Sequence, residues 1–132
     1  MAEHILKNEL KKNNLEYINV ISCGLRVNKD DKTNDFAIKA LKHIGISARK
    51  KKAKQINEKI IKKSFLIITM TKEQKNQILS SKTFTLGEFI DKEDILDPYG
   101  QSQEIYNNTA KTIQEYIELF VNNLLRVKEN LW

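Results

Sequence analysis

Hydrophobic side chains recur along this chain in two patterns, which predict helices and strands in alternation. Apolar residues three or four positions apart share one face of an α-helix, whereas short continuous apolar runs are typical of buried strands. The helical pattern occurs in five segments, at residues 2–13, 35–44, 55–63, 71–79 and 102–130. Strand-like runs occur in three, at residues 17–22, 65–69 and 83–86.

Local signals support several of these boundaries. Gly45 follows the second helical segment, where a glycine cap is common, and Thr71 followed by Gln74 is typical of a capping box. Alternating strands and helices favour an α/β domain with a parallel sheet, here a three-layer α/β/α arrangement. The last helix is expected to bury the stripe Ile105, Tyr106, Thr109, Ile113, Tyr116, Ile117, Phe120, Val121 and Leu124.

The positive charge of the chain is concentrated in one segment. The net charge is +6, and residues 47–63 alone carry eight Lys or Arg against one Glu, so the remainder is close to neutral. The run from Arg49 to Lys54 could meet an anionic partner or could be a solvated loop. No aromatic residue interleaves these lysines as a stacking platform would, so nucleic acid is not the expected partner.

The length of 132 residues predicts a single domain, and no apolar run reaches the length that spans a bilayer. The first residues lack the apolar core of a signal peptide, and the single cysteine excludes an internal disulfide framework. A cytoplasmic location without membrane partners is therefore expected.

The candidate chemistry lies near Asp97, whose carboxyl group is held by a stiff Asp-Pro step ahead of the last helix. Such a group can serve as a general acid. An acid of this kind usually serves a nucleophile, but Cys23, His4 and His43 do not lie in Gly-rich or helix-opening loops. The sequence therefore predicts part of an active site.

Several motifs in order resemble the low-molecular-weight protein tyrosine phosphatases, a family that includes bacterial protein arginine phosphatases. The acid motif of the family is matched by Asp97-Pro98-Tyr99-Gly100. Other matches cover nearly the whole chain: Met1-Ala2-Glu3, Ser22-Cys23-Gly24, Leu66-Ile67-Ile68-Thr69-Met70-Thr71, Phe84-Thr85-Leu86-Gly87-Glu88-Phe89 and Ile105-Tyr106.

This resemblance implies a cysteinyl-phosphate mechanism without metal or cofactor, in which Asp97 is the general acid and Tyr99 lines the substrate cleft. The family's nucleophile loop, C-x5-R, lies between its first strand and the helix that Met1 would open. The 132 residues contain no C-x5-R, since Lys29 stands six positions after Cys23. Phe65 and Cys23 also depart from the family pattern, and Cys23 is interpreted as a strand-end residue rather than a nucleophile.

Three hypotheses follow for function. The first is a phosphatase acting on phosphotyrosine or phosphoarginine proteins, whose first strand and loop would precede Met1, so that the chain as given is N-terminally truncated and inactive. The second is a non-catalytic binding or regulatory module that uses the Asp97 cleft or the basic run. The third is an unrelated α/β binding domain. An arsenate-reducing relative would need further cysteines.

The resemblance also predicts a gap in the sheet. The family's first strand is central, so residues 17–22 and 65–69 are expected to lie in one parallel sheet with a gap or an intruding segment between them. Unpaired strand edges are prone to pair with another chain, which predicts self-association.

Overall fold

The computed structural model describes the backbone of residues 1–131 and the side chains of residues 1–127. Five helices and two strands alternate along this part of the chain. They are α1 (Ala2–Lys12), α2 (Asp35–His43), α3 (Glu58–Lys63), β1 (Ile67–Thr69), α4 (Lys72–Asn76), β2 (Thr83–Thr85) and α5 (Gln103–Leu131), with a 3-10 turn at Gly87–Phe89.

Side-chain caps fix the starts of three helices. Asn34 accepts a hydrogen bond from Phe36 N, and Asn57 accepts one from Ile60 N. At α4 the hydroxyl of Thr71 accepts from Gln74 N, which confirms the first half of the predicted capping box. These caps pair the free N–H groups of the first helical turn, so each helix begins within a few residues of its predicted start.

The sheet is parallel, with Ile67, Ile68 and Thr69 in register with Thr83, Phe84 and Thr85. Ile67 N donates to Lys82 O, and Leu86 N donates to Thr69 O. The backbone groups of Ile67 and Thr69 therefore point towards β2. Ile68 therefore presents its backbone to the opposite edge. The predicted α/β class and the short parallel sheet are confirmed.

The predicted strand at residues 17–22 is wrong, because these residues are in neither of the two described strands. A strand is defined by hydrogen bonds to a neighbour, and the only backbone bond described within this segment joins Ile18 N to Leu15 O. Its Tyr17 and Ile21 side chains are exposed. Pairing resumes just beyond it, where Gly24 forms an isolated parallel bridge with Gln55.

A second correction concerns Phe65, predicted to begin a strand covered on both faces. Its side chain is 96% exposed, and β1 begins only at Ile67. The strand is half-buried rather than enclosed, because one of its edges has no neighbour among the described residues.

The core is organised around α5, which packs against α1 and α2. Burial follows the predicted 3.6-residue period, although Ala110 joins the stripe and Ile105 is exposed. Phe36 of α2 is exposed as well. The fully or nearly fully buried positions of α5 are Tyr106, Ala110, Ile113, Ile117, Phe120 and Val121.

Candidate active site

The loop that carries Asp97 is fixed to the carboxyl end of β1. Ile95 N donates to Met70 O at 3.0 Å, and Lys72 N donates to a carboxylate oxygen of Asp94 at 2.9 Å. The side chain of Ile95 is buried in the main core. These contacts anchor the loop just before Asp97, so the position of the acid depends on the end of the strand.

The Asp97 carboxylate is oriented by its own loop. Tyr99 N donates to Asp97 Oδ1 at 3.0 Å, which leaves the exposed carboxylate free to turn its other oxygen outward. Gln101 N donates to Pro98 O at 3.0 Å, closing a turn in which Gly100 has φ +82°. A left-handed residue at this position is typical of a type II turn, and glycine adopts it without strain. The turn leaves the Tyr99 side chain 76% exposed, as a wall residue would be.

Two aromatic rings from different helices meet near this loop. The Tyr106 ring is buried and stacks on Phe36 with centroids 5.4 Å apart. Burial raises the pKa of Tyr106, and the nearby charges of Asp97 and Tyr99 raise it further. The start of α5 and the start of α2 therefore form one surface beside the acid. Gln103 reinforces it by donating to Phe36 O at 2.9 Å.

The N-terminus of α1 lies near the surface formed by the starts of α2 and α5. Burial lowers the pKa of the Met1 amino group, while the carboxylates of Glu3 and Asp97 act to raise it and Lys51 acts to lower it. Met1 caps α1 without a side-chain hydrogen bond, so the first N–H groups of the helix are not capped by a side chain. Met1 also packs against the buried cluster that contains Tyr106, so the positive end of the α1 dipole lies at the end of the domain where α5 begins, an arrangement that favours an anion.

Glu3, in the first turn of α1, is a buried carboxylate that forms ion pairs with two lysines. The residue is 7% exposed, and its carboxylate accepts hydrogen bonds from Lys51 Nζ at 2.6 and 2.7 Å, from Lys7 Nζ at 2.8 Å and from Ser22 Oγ at 2.5 Å. Burial alone would raise the pKa of Glu3, but the bonds from Lys51, Lys7 and Ser22 lower it to about 2. Glu3 therefore ties α1 to residue 22 and to the basic run.

Cys23 and His4 lie near the Glu3 contacts, whereas His43 lies at the end of α2. Burial raises the pKa of the half-buried Cys23 thiol, with Lys54 opposing that rise and Glu3 adding to it. A raised pKa reduces the thiolate fraction and makes Cys23 a poor nucleophile. Burial lowers the pKa of His4 on α1, and His43 is exposed at the end of α2.

Two shallow grooves are found among the described residues, the first at the acid loop and the second along the C-terminal half of α1. One of about 360 Å³ runs between residues 94–98 and the first turns of α5, and one of about 400 Å³ lies between α1 and residues 16–20. Within the described part of the chain no three His, Cys, Asp or Glu side chains form a group that could hold a metal ion. None of the helices described there is both long and apolar enough to cross a membrane.

The fold and the acid loop define a phosphatase-like α/β domain, and comparison with known proteins identifies the family. Residues 1–130 match the sequence model of the low molecular weight phosphotyrosine protein phosphatases, and the chain belongs to that family. The protein-arginine-phosphatase of Bacillus subtilis (strain 168) is 29% identical, with 94% of this chain and 87% of the relative aligned.

Solved structures agree with this assignment. A YwlE arginine phosphatase variant with a phosphorylated active-site serine superposes with a TM-score of 0.86 at 27% identity, over 93% of this chain and 85% of the other. The low molecular weight protein tyrosine phosphatase of T. tengcongensis superposes with a TM-score of 0.84 at 26% identity, over 92% and 88%. The predicted family and fold are thereby confirmed.

Sequence reasoning missed the buried role of Glu3. The sequence offers two hints of this role. One is a glutamate in the first turn of an amphipathic helix, and the other is an excess of positive charge in one distant segment. Pattern alone cannot pair the two, because residues 3 and 51 are 48 positions apart.

Proposed function

We propose that this chain contributes to phosphoprotein hydrolysis by protonating the leaving group. Asp97 is the general acid, and Tyr99 is a wall of the substrate cleft. The observation that carries the proposal is the Asp97 loop beside the N-terminus of α1. A phosphoryl group at that helix end would face free N–H groups while Asp97 reached its leaving atom.

The reaction that fits this arrangement is a two-step displacement. A cysteine thiolate attacks phosphorus, Asp97 gives its proton to the departing oxygen or nitrogen, and the same carboxylate then takes a proton from the attacking water. The thiolate and a bidentate arginine would come from a C-x5-R loop joined ahead of Met1. The phosphorylated serine of the YwlE variant supports a covalent intermediate in that relative.

The substrate class we propose is a protein phosphorylated on arginine or tyrosine, with arginine favoured. Asp97–Gly100 holds one aromatic residue, Tyr99, and the Phe84–Phe89 stretch resembles the arginine-type members. The name of the Bacillus subtilis relative supports the same choice.

Turnover of para-nitrophenyl phosphate at mildly acidic pH tests the assignment. The 132-residue polypeptide is expected to show no turnover above buffer, because it contains no C-x5-R. A version extended at its N-terminus by a strand and a C-x5-R loop is expected to be active. In that version Asp97→Asn should slow the chemical step about 10²–10⁴-fold, the usual range for general acid catalysis.

Glu93→Gln is the matched control, since Glu93 is an exposed carboxylate in the same loop. It should leave turnover within about twofold of the extended parent, because it changes charge without touching the acid. Equal activity of Asp97→Asn and Glu93→Gln would show that Asp97 is not the acid. An extended protein that folds and stays inactive would favour the alternative of a non-catalytic binding or regulatory module.

A further inference from the structure

Two basic segments that are distant in sequence lie side by side in the fold. Thr33 N donates to Lys51 O at 3.0 Å, and Ala53 N donates to Asp31 O at 2.9 Å. Between these bonds Lys32 and Lys52 form an antiparallel bridge. Residues 26–33 therefore add Arg26, Lys29 and Lys32 to the surface of the run from Arg49 to Lys54.

The bridge sets two like charges directly opposite each other. Residues paired in this way have Cβ atoms about 4.5–5.5 Å apart, and like charges at such positions repel. Both lysines are exposed, and neither takes part in a salt bridge described for residues 1–127. An anion held between the two ammonium groups would remove this repulsion.

The neighbouring residue shows which way the lysine pair faces. Successive side chains of an extended segment point to opposite sides, and Lys51 Nζ turns inward to the buried Glu3. Lys52 and its partner Lys32 therefore face outward. Lys51 thereby ties this segment to the first turn of α1, which carries Glu3.

We infer that the face formed by Lys32, Lys52 and Lys54 is a docking site for an acidic segment of the phosphoprotein substrate. This inference rests on the proposed function, because it assigns the surface to the same substrate. Phosphorylated residues flanked by Asp or Glu would be preferred over those in neutral or basic surroundings.

An acidic polypeptide fits this face better than a nucleic acid does. Residues 26–33 and 47–63 contain no aromatic side chain on which a base could stack. Asp30 and Asp31 interrupt the positive surface, and a continuous phosphate backbone would meet them. Separate carboxylates can be placed to avoid these two residues and still reach the lysine pair.

Fluorescence anisotropy with the 132-residue protein and a labelled octaglutamate peptide tests the docking site. We expect binding that weakens as salt rises from 50 to 200 mM, because exposed charges are screened. Lys32→Gln with Lys52→Gln should weaken binding about tenfold, the effect of losing two exposed ion pairs of about 0.7 kcal/mol each. Lys59→Gln with Lys62→Gln, which removes the same charge from exposed positions of α3, should change it by less than about twofold.

A single charge reversal separates docking from folding. Lys52→Glu would replace the repulsion across the bridge with an attraction to Lys32, so the melting temperature should equal or exceed that of the parent. Its peptide binding should nevertheless fall. A variant that is equally or more stable yet binds less well excludes unfolding as the cause.

The outcomes discriminate between explanations. Equal losses in the two double variants, or the absence of peptide binding at 50 mM salt, would overturn the inference. Tighter binding of an eight-nucleotide thymidine oligomer than of the peptide at 150 mM salt would also overturn it, in favour of a nucleic acid. The peptide carries no phosphate, so Asp97→Asn should not affect its binding, and failure of the phosphatase proposal would leave this result unchanged.

Discussion

Replacing Glu3 with glutamine should remove a large, pH-dependent part of the domain's stability. The Glu3 carboxylate is buried and paired with Lys51 and Lys7, and its pKa is lowered from 4.5 to about 2. At about 1.36 kcal/mol per pH unit, this difference corresponds to about 3 kcal/mol of folding free energy at neutral pH. Such a loss is substantial for a domain whose net stability is about 5–15 kcal/mol.

The sign of the pH dependence follows from the direction of the change. A carboxyl group with a depressed pKa in the folded state stabilises the fold above its unfolded value of about 4.5. That contribution disappears as the pH falls from about 4.5 towards about 2, because the folded protein must then bind a proton as the unfolded chain does. Glu3→Gln should therefore differ from the parent by about 3 kcal/mol at pH 7 and by little near pH 2.

Urea denaturation followed by far-ultraviolet circular dichroism at pH 7, 5, 4 and 3 measures this difference. Glu118→Gln is the control, since Glu118 is exposed on α5 and should change stability by less than about 0.5 kcal/mol at every pH. A Glu3→Gln deficit that stays constant between pH 7 and pH 3 would refute the reasoning, because it would show that the charge on Glu3 is not what stabilises the fold.

Two further predictions concern the loop that carries the acid and the sheet edge. Gly87→Ala should destabilise the domain by about 2–3 kcal/mol, measured by urea denaturation, because a Cβ there would overlap the Lys92 carbonyl oxygen. Gly100→Ala meets no neighbour and should cost only about 1 kcal/mol from its φ of +82°, so equal losses would contradict this account. The edge of β1 away from β2 should make the chain self-associate, as judged by size-exclusion chromatography with light scattering over a dilution series. A monomer at all concentrations that melts cooperatively would count against an open edge.

Much of the local structure could be predicted because it depends on neighbouring residues. The period of apolar residues in α1 and α5 and the Thr71 cap both follow from side-chain size and backbone freedom within a few positions. The acid at Asp97 was recognised for the same reason, since the motif that carries it is continuous in sequence. Its role as an acid stays a prediction.

The segment at residues 17–22 shows where such reasoning fails. Its β-branched composition favours an extended backbone, and a strand additionally needs a partner with matching hydrogen bonds. The described structure provides that pairing only further on, at Gly24 and Gln55. The burial predicted for Phe65 is wrong for a related reason, because it depends on neighbours that the local pattern does not specify.

The sequence by itself determined the helical faces, the Asp-Pro step at Asp97 and the family motifs, because each depends on residues close together in the chain. Only the tertiary structure decided that Glu3 pairs with Lys51, that Lys32 faces Lys52, and that α1 opens beside the acid. These pairs come from segments tens of residues apart, which meet when helices bury their apolar faces around α5. The hydrophobic effect that drives this packing is non-directional, so the charges it brings together are fixed by the packing geometry of the whole domain.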